Sequence, residues 1–184
     1  MDAGDTVVDI GANVGHYTLL MSRCVEGHGH VIAFEPIGST FALLASNVTS
    51  AGAKNVTLIN AAVRNNVERL RFRIPDGNPS RAHASEDGAT RVFSIRLSDL
   101  ISPDWSLSLI KVDAQSADDE IVRAAYELVE QARPYVTVGL TGADANLLAG
   151  SFTNYLVWRI PCSHNSILYP AEQDARVRAS LANE

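Results

Sequence analysis

At 184 residues and 46% apolar composition, the chain suits one domain with a substantial core. A net charge of −6 and a pI near 5.3 argue against a phosphate-binding surface spread over the protein, and so against nucleic acid as partner. No apolar run approaches the ~20 residues that span a bilayer and no charged-then-apolar leader precedes the first strand, which points to a cytoplasmic protein without membrane contact.

The stretch Val7-Val8-Asp9-Ile10 is an apolar run with an acid near its tip. It meets Gly11 and Gly15 before an amphipathic segment begins, the pattern of strand, tight turn and helix start in a nucleotide-binding turn. A dinucleotide fingerprint needs glycine at its first, third and sixth positions so that a pyrophosphate can lie against bare backbone. Here those positions hold Gly11, Asn13 and His16. Their side chains crowd a pyrophosphate but leave room for a ligand without phosphate. S-adenosylmethionine is such a ligand, and its cationic sulfonium and ammonium give Asp9 a direct or water-bridged role. The competing reading is a sharp strand-to-helix turn in some other α/β protein.

Leu19, Leu20 and Cys24 then recur at helical spacing, and Glu26-Gly27-His28-Gly29 ends that helix. The distant pair Cys24 and Cys162 makes neither a metal spacing nor a disulfide framework, so both cysteines are expected to be buried small hydrophobes in a reducing compartment. A second strand, His30 to Glu35, closes on an acid. An acid at that distance sits at the next strand tip in βαβ nucleotide folds and accepts from both ribose hydroxyls; alternatively Glu35 favours the following helix N-terminus through its dipole. Pro36 marks the turn, Ser39 or Thr40 caps a helix with Phe41, Leu44 and Val48 on one face, and Gly52 stops it. The third strand is Val56 to Asn60, where Asn60 either reads an adenine edge or forms a turn.

Two segments then break the alternation of strand and helix. Glu68 to Ile74 and Arg91 to Arg96 read as an inserted antiparallel pair, with Arg69, Arg71 and Arg73 on its solvent face. Between them Pro75 to Thr90 reads as a structureless run, either a flap over an acceptor site, with His83 in reach of the acceptor, or plain disorder. Leu107 to Asp113 is the fourth strand, again tipped by an acid. Ser116 and Asp119 start a helix that buries Ile121, Ala125, Leu128 and Val129. A fifth strand covers Tyr135 to Leu140 and a short helix Ala143 to Ala149. Tyr155 to Ile160 and Ser166 to Tyr169 follow as an antiparallel pair at the sheet edge, and the tail from Ala171 is a loose helix or disordered. The expected fold is a doubly wound α/β domain: a seven-stranded, mostly parallel sheet with an antiparallel edge pair and an inserted β-hairpin.

The strings Asp5 to Thr18, Phe34-Glu35-Pro36 and Leu109 to Gln115, in this order, resemble the FkbM-type methyltransferases, class I enzymes dependent on S-adenosylmethionine; the similarity runs from about Gly4 to Pro170. The resemblance implies O-methylation of a hydroxyl on a sugar, polyketide or similar small molecule, with Asp9, Gly11, Asn13 and Gly15 around the methionine arm, Glu35 on the ribose and Asp113 at the donor–acceptor junction. With their neighbours Ala12, Tyr17, Pro36, Asn60 and Ala61, these residues make up the expected cofactor site. Asp113 is the first candidate for the base that relieves the hydroxyl of its proton. His16 is the second, because imidazole titrates near neutrality, although its ring also suits a place over the cofactor with no proton role. No metal is expected, and a homodimer is one expected assembly. Two positions depart from the family pattern: Ser116 stands where glycine is usual, and Gly139 where an acid near the end of the fifth strand is usual. These departures motivate an alternative, a cofactor-binding protein without catalysis. A nicotinamide-dependent oxidoreductase is a further alternative, disfavoured by Asn13 and His16.

Overall fold

The structure is a computed structural model that describes residues 1–102, 104–115 and 117–181. In chain order its elements are β1 (Thr6–Ile10), α1 (His16–Cys24), β2 (His30–Phe34), α2 (Gly38–Ser50), β3 (Val56–Ile59), β4 (Ala62–Val63), β5 (Arg69–Arg73), β6 (His83–Ala84), β7 (Thr90–Ile95), β8 (Leu107–Val112), α3 (Asp118–Ala124), α4 (Tyr126–Ala132), β9 (Tyr135–Val138), α5 (Gly142–Ala149), β10 (Tyr155–Arg159), β11 (Ser166–Pro170) and α6 (Asp174–Leu181).

The main sheet has the order β10-β11-β9-β8-β1-β2-β3. Val7, Val8 and Ile10 of β1, Val31, Ile32 and Phe34 of β2, and Leu109, Ile110 and Val112 of β8 are all buried, as expected of strands covered on both faces. The chain steps outward from β1 to β3, then returns to β8 on the other side of β1. This reversal opens a crevice beyond the carboxyl ends of β1 and β8, where ligands bind in open α/β sheets. The edge pair forms as expected, with a refinement: β11 lies between β10 and β9 and runs antiparallel to both.

The insertion is larger than a hairpin. It is a second sheet in the order β4-β7-β5-β6. Alternation in β5 and β7 sends Phe72 and Val92 inward to pack with Ile37 and Ala62, while Arg69, Arg71, Arg73 and Arg91 stay exposed. The stretch from Pro75 to Thr90 is therefore not structureless. Two 3-10 turns, Pro75–Gly77 and Pro79–Arg81, lead into β6, which pairs Ala84 with Phe72 and His83 with Arg73. His83 also sits 3.0 Å from the Arg81 carbonyl through Nδ1.

Other expectations are corrected by particular contacts. The buried face of α1 is Thr18, Met21 and Ser22, with Leu20 and Cys24 exposed, because Thr18 and Ser22 carry hydrogen bonds to Asp9 and Asn55. Cys162 is exposed as well. The second helix begins at Gly38, ahead of the expected caps, where Ile37 donates its N–H to Glu35. The helix after β8 breaks at Ala125 (φ −92°, ψ 17°), which keeps Ile121, Leu128 and Val129 all in the core. The tail folds as α6, tied by Arg176 to Asp2 at 2.9 Å. Ser116, expected to cap α3, lies outside the described residues. Among the described residues, no helix is long and apolar enough to cross a membrane.

Candidate active site

The crevice is built on a close approach of two strand ends. Gly11, just past β1, has φ +75°, and a Cβ there would lie 2.0 Å from the Asp113 carbonyl oxygen. Only glycine satisfies both conditions. The amides of Gly11 and Ala12 donate to the Phe34 carbonyl at 3.0 and 2.9 Å, which swings the chain toward β2. Asn13, also left-handed at φ +51°, then donates its N–H to Glu35 Oε2 at 3.0 Å, while its side-chain amide donates to Ser80 Oγ at 3.0 Å. Gly15 lies just ahead of α1 and packs against Leu44.

Glu35 is 6% exposed and accepts from two backbone donors, Asn13 through Oε2 and Ile37 through Oε1 at 2.9 Å. Burial pushes its carboxyl above the usual glutamate range, opposed by those two N–H groups. Each oxygen accepts one bond and keeps capacity for another.

Beside Glu35 lies a cavity of ≈ 250 Å³ whose walls include Gly11, Asn13, Pro36, Ala61 and Asp113. Its roof comes from the insertion: Phe72 of β5 with Pro79, Ser80 and Ala82 of the segment that leads into β6. By volume alone it falls below the ~300–1,000 Å³ of a ligand pocket. A second, shallower depression of ≈ 480 Å³ shares Gly11, Asn13 and Asp113 with it and adds Ala12, His16, Tyr17, Leu20 and Lys111. Together the two offer a long site hinged on Gly11 and Asp113. Asp113 is exposed at the wall common to both, its N–H fixed to the Ile10 carbonyl at 3.0 Å. His16 and Tyr17 belong to the second depression, away from Glu35.

Three expected contacts fall elsewhere. Asp9 is completely buried; its Oδ1 accepts from Lys111 Nζ at 2.8 Å and its Oδ2 from the Thr18 hydroxyl at 2.7 Å. The cation it meets is the chain's own, so Asp9 is not open to a ligand's ammonium. Asn60 donates to the carbonyls of Glu35 and Pro36 at 2.8 and 3.2 Å, a long-range tie to the end of β2. Gly15 lines neither cavity.

Sequence reasoning missed four contributors: Lys111, Ser80, Arg64, whose side chain lines the cavity and pairs with Glu120, and Asp118. Lys111 left a usable signal. A lysine inside an apolar strand is almost never buried unless paired, and Asp9 occupies the facing register on β1. Lys111 Nζ also lies 5.2 Å from the Tyr17 ring centre, a cation–π contact that orients both. Among the described residues, no cluster of three or more His, Cys, Asp and Glu is placed to hold a metal.

A model of the methyltransferase FkbM domain matches residues 9–158. Among solved structures, methyltransferase FkbM from Methylobacillus flagellatus KT is similar with a TM-score of 0.67 and 14% identity, covering 92% of this chain and 44% of that one. The present chain thus spans less than half that protein's length. A SAM-dependent O-methyltransferase from Thermotoga maritima matches with a TM-score of 0.57 and 14% identity, over 92% and 60% of the two chains. Aeropyrum pernix fibrillarin, solved with natively bound S-adenosyl-L-methionine, matches with a TM-score of 0.55 and 10% identity, over 91% and 67%. At these identities the likeness is one of fold. No curated protein matches the chain.

Proposed function

The chain belongs to the FkbM methyltransferase family, and from that premise we propose that it carries a methyl group from S-adenosylmethionine to a hydroxyl oxygen on a small molecule such as a sugar or another natural product. The observation that supports this most is the meeting of Glu35, the bare Gly11 turn and Asp113 around one cavity at the carboxyl ends of β1, β2 and β8. The residues suit a donor without phosphate. Asn13 and Ser80 close over the turn where a pyrophosphate needs open backbone, and Glu35 offers acceptor capacity to a ribose.

The donor supplies an electrophilic methyl carbon on a cationic sulfur. The chain's part is alignment: in-line displacement is accelerated chiefly by holding acceptor oxygen, carbon and leaving sulfur in one geometry. Glu35 and the Gly11 turn anchor one end of the site. Asp113, on the wall shared with the second depression, takes the acceptor's hydroxyl proton as the new C–O bond forms. His16 lies in that depression and is the second candidate for this role. The Asp9–Lys111 pair acts from beneath, since Lys111 Nζ also reaches the Gly11 carbonyl at 3.5 Å and ties the turn to β8.

With a net charge of −6, a small neutral acceptor fits this reading better than a nucleic acid or an anionic membrane. Calorimetry with S-adenosylmethionine, S-adenosylhomocysteine and NAD+ tests the donor, and radiolabelled methyl transfer across a hydroxyl library tests the acceptor. Heat with both sulfur ligands and none with NAD+ is expected. Binding of NAD+ alone would sink the proposal, and methylation confined to amines or carbons would replace its oxygen acceptor.

A further inference from the structure

We infer that Asp118 is a positioning residue whose carboxylate holds the turn carrying Asp113, Ala114 and Gln115 against the end of β9, and that Gly139 is bare in order to admit it. The inference rests on the donor-site reading above, because this turn forms one wall of that cavity.

β8 and β9 pair in parallel through Leu109–Tyr135, Ile110–Val136 and Lys111–Thr137, and the register ends there. Beyond that pair the two chains must part to open the crevice, which leaves backbone N–H groups without strand partners. Asp118, the first residue of α3, spans the gap. Its Oδ1 accepts from the Ala114 N–H at 2.8 Å, and its Oδ2 accepts from the Gly139 N–H at 2.7 Å. Asp118 itself is 6% exposed, so its carboxylate is withdrawn from solvent where it bridges the half-buried Ala114 and the more exposed Gly139. Burial raises its carboxyl above the ordinary aspartate range, opposed chiefly by the N–H groups of Ala114 and Gly139; Asp113 adds to the rise and Lys111 counters it.

Two further observations point the same way. Gln115 sits in the left-handed region at φ +43°, a backbone state that a residue with a Cβ holds only when its surroundings impose it, and the adjacent Ala114 amide is where Asp118 grips. At the other end, a Cβ on Gly139 would lie 2.8 Å from Asp118 Oδ2, so any other residue evicts the carboxylate or moves the strand end. The acid absent from this strand end is thus matched by one entering the same corner from α3.

The test uses the whole chain and S-adenosylhomocysteine as probe, by calorimetry at a temperature where circular dichroism shows every variant folded. Asp118→Ala is expected to raise Kd about ten-fold, the scale of one lost charge-assisted bond. Asp118→Asn, which keeps one acceptor oxygen, recovers part of that loss. Gly139→Ala reproduces the loss, and the double variant D118A/G139A binds no worse than D118A. An unchanged Kd in folded D118A, or losses that multiply in the double variant, overturns the inference. Melting adds a readout that needs no ligand: G139A should lower Tm in the parent but not in the D118A background. Equal lowering in both backgrounds refutes the bridge. If the parent fails to bind S-adenosylhomocysteine, the donor-site reading falls, and the melting cycle still decides the bridge.

Discussion

Replacing Lys111 with methionine isolates the buried pair at the base of the site. Asp9 is wholly inaccessible and the Lys111 side chain only 10% exposed, with 2.8 Å between Nζ and Oδ1. At an effective dielectric near 20, unit charges at that distance attract by about 6 kcal/mol. Desolvation costs several kcal/mol per ion, so the intact pair is close to neutral against an apolar pair of the same volume. The single variant is different, because it strands a carboxylate with only the Thr18 hydroxyl as side-chain partner. Lys111→Met should therefore destabilise by ~3–5 kcal/mol, which at 2–4 °C per kcal/mol for a chain of this size is roughly 6–20 °C in Tm. Asp9→Asn should cost a similar amount, and the double variant D9N/K111M should recover most of it. Urea melts of the four proteins close the cycle. A K111M loss below about 1 kcal/mol, or additive losses, would show that the pair is not sealed and that Asp9 is open to a ligand after all.

Glu35→Ala should weaken S-adenosylhomocysteine binding by about 1–3 kcal/mol, read by calorimetry; an unchanged affinity in a folded variant removes its ribose role. Because burial raises the Glu35 carboxyl, affinity should fall as pH drops through a value above the usual glutamate range, and E35Q should flatten that slope. The stability contribution of the same group runs the other way: the folded chain holds this proton more tightly than the unfolded one, so the contribution is present at low pH and lost as pH rises through the raised value. Gly11→Ala places a Cβ against the Asp113 carbonyl at positive φ and should abolish measurable ligand binding, with near-parental binding as the contrary result. Ser80→Ala removes the bond from Asn13 that joins roof to floor; stopped-flow release of S-adenosylhomocysteine should quicken by about ten-fold or less, and an unaltered rate would mean that the roof opens by another route.

The strand tips were legible because their grammar is local: the largely apolar β1, β2 and β8 carry acids at or just past their ends, Asp9, Glu35 and Asp113, with Gly11 marking the tight turn. What those acids do is not local. Asp9 and Glu35 look alike in sequence, yet one is sealed by a lysine from a strand a hundred residues later and the other lines the cavity. The same limit hid β6, two residues long and defined only by its pairing with β5. It also hid the buried face of α1, where Thr18 and Ser22 are inside for the sake of Asp9 and Asn55, against the simple apolar periodicity. Asp118 stands beside Asp119 in the chain, and only the three-dimensional closeness of Gly139 separates their roles.

The inserted sheet begins and ends at one place. β4 and β7 lie side by side, Ala62 next to Ser94 and Val63 next to Ile95, so the first and last strands of the insertion are neighbours, and the main sheet resumes at Leu107. Such an excursion is a cassette: its own pairing fixes its shape, and it meets the frame through Phe72 and Val92 on Ile37, Ser80 on Asn13 and Arg64 on Glu120. Phe72, Pro79, Ser80 and Ala82 travel inside it, while Glu35, Gly11 and Asp113 stay behind on the frame. Grafting a different cassette onto this frame would retune what enters from above without rewriting the strand ends below, a route open to natural variation and to the protein engineer alike.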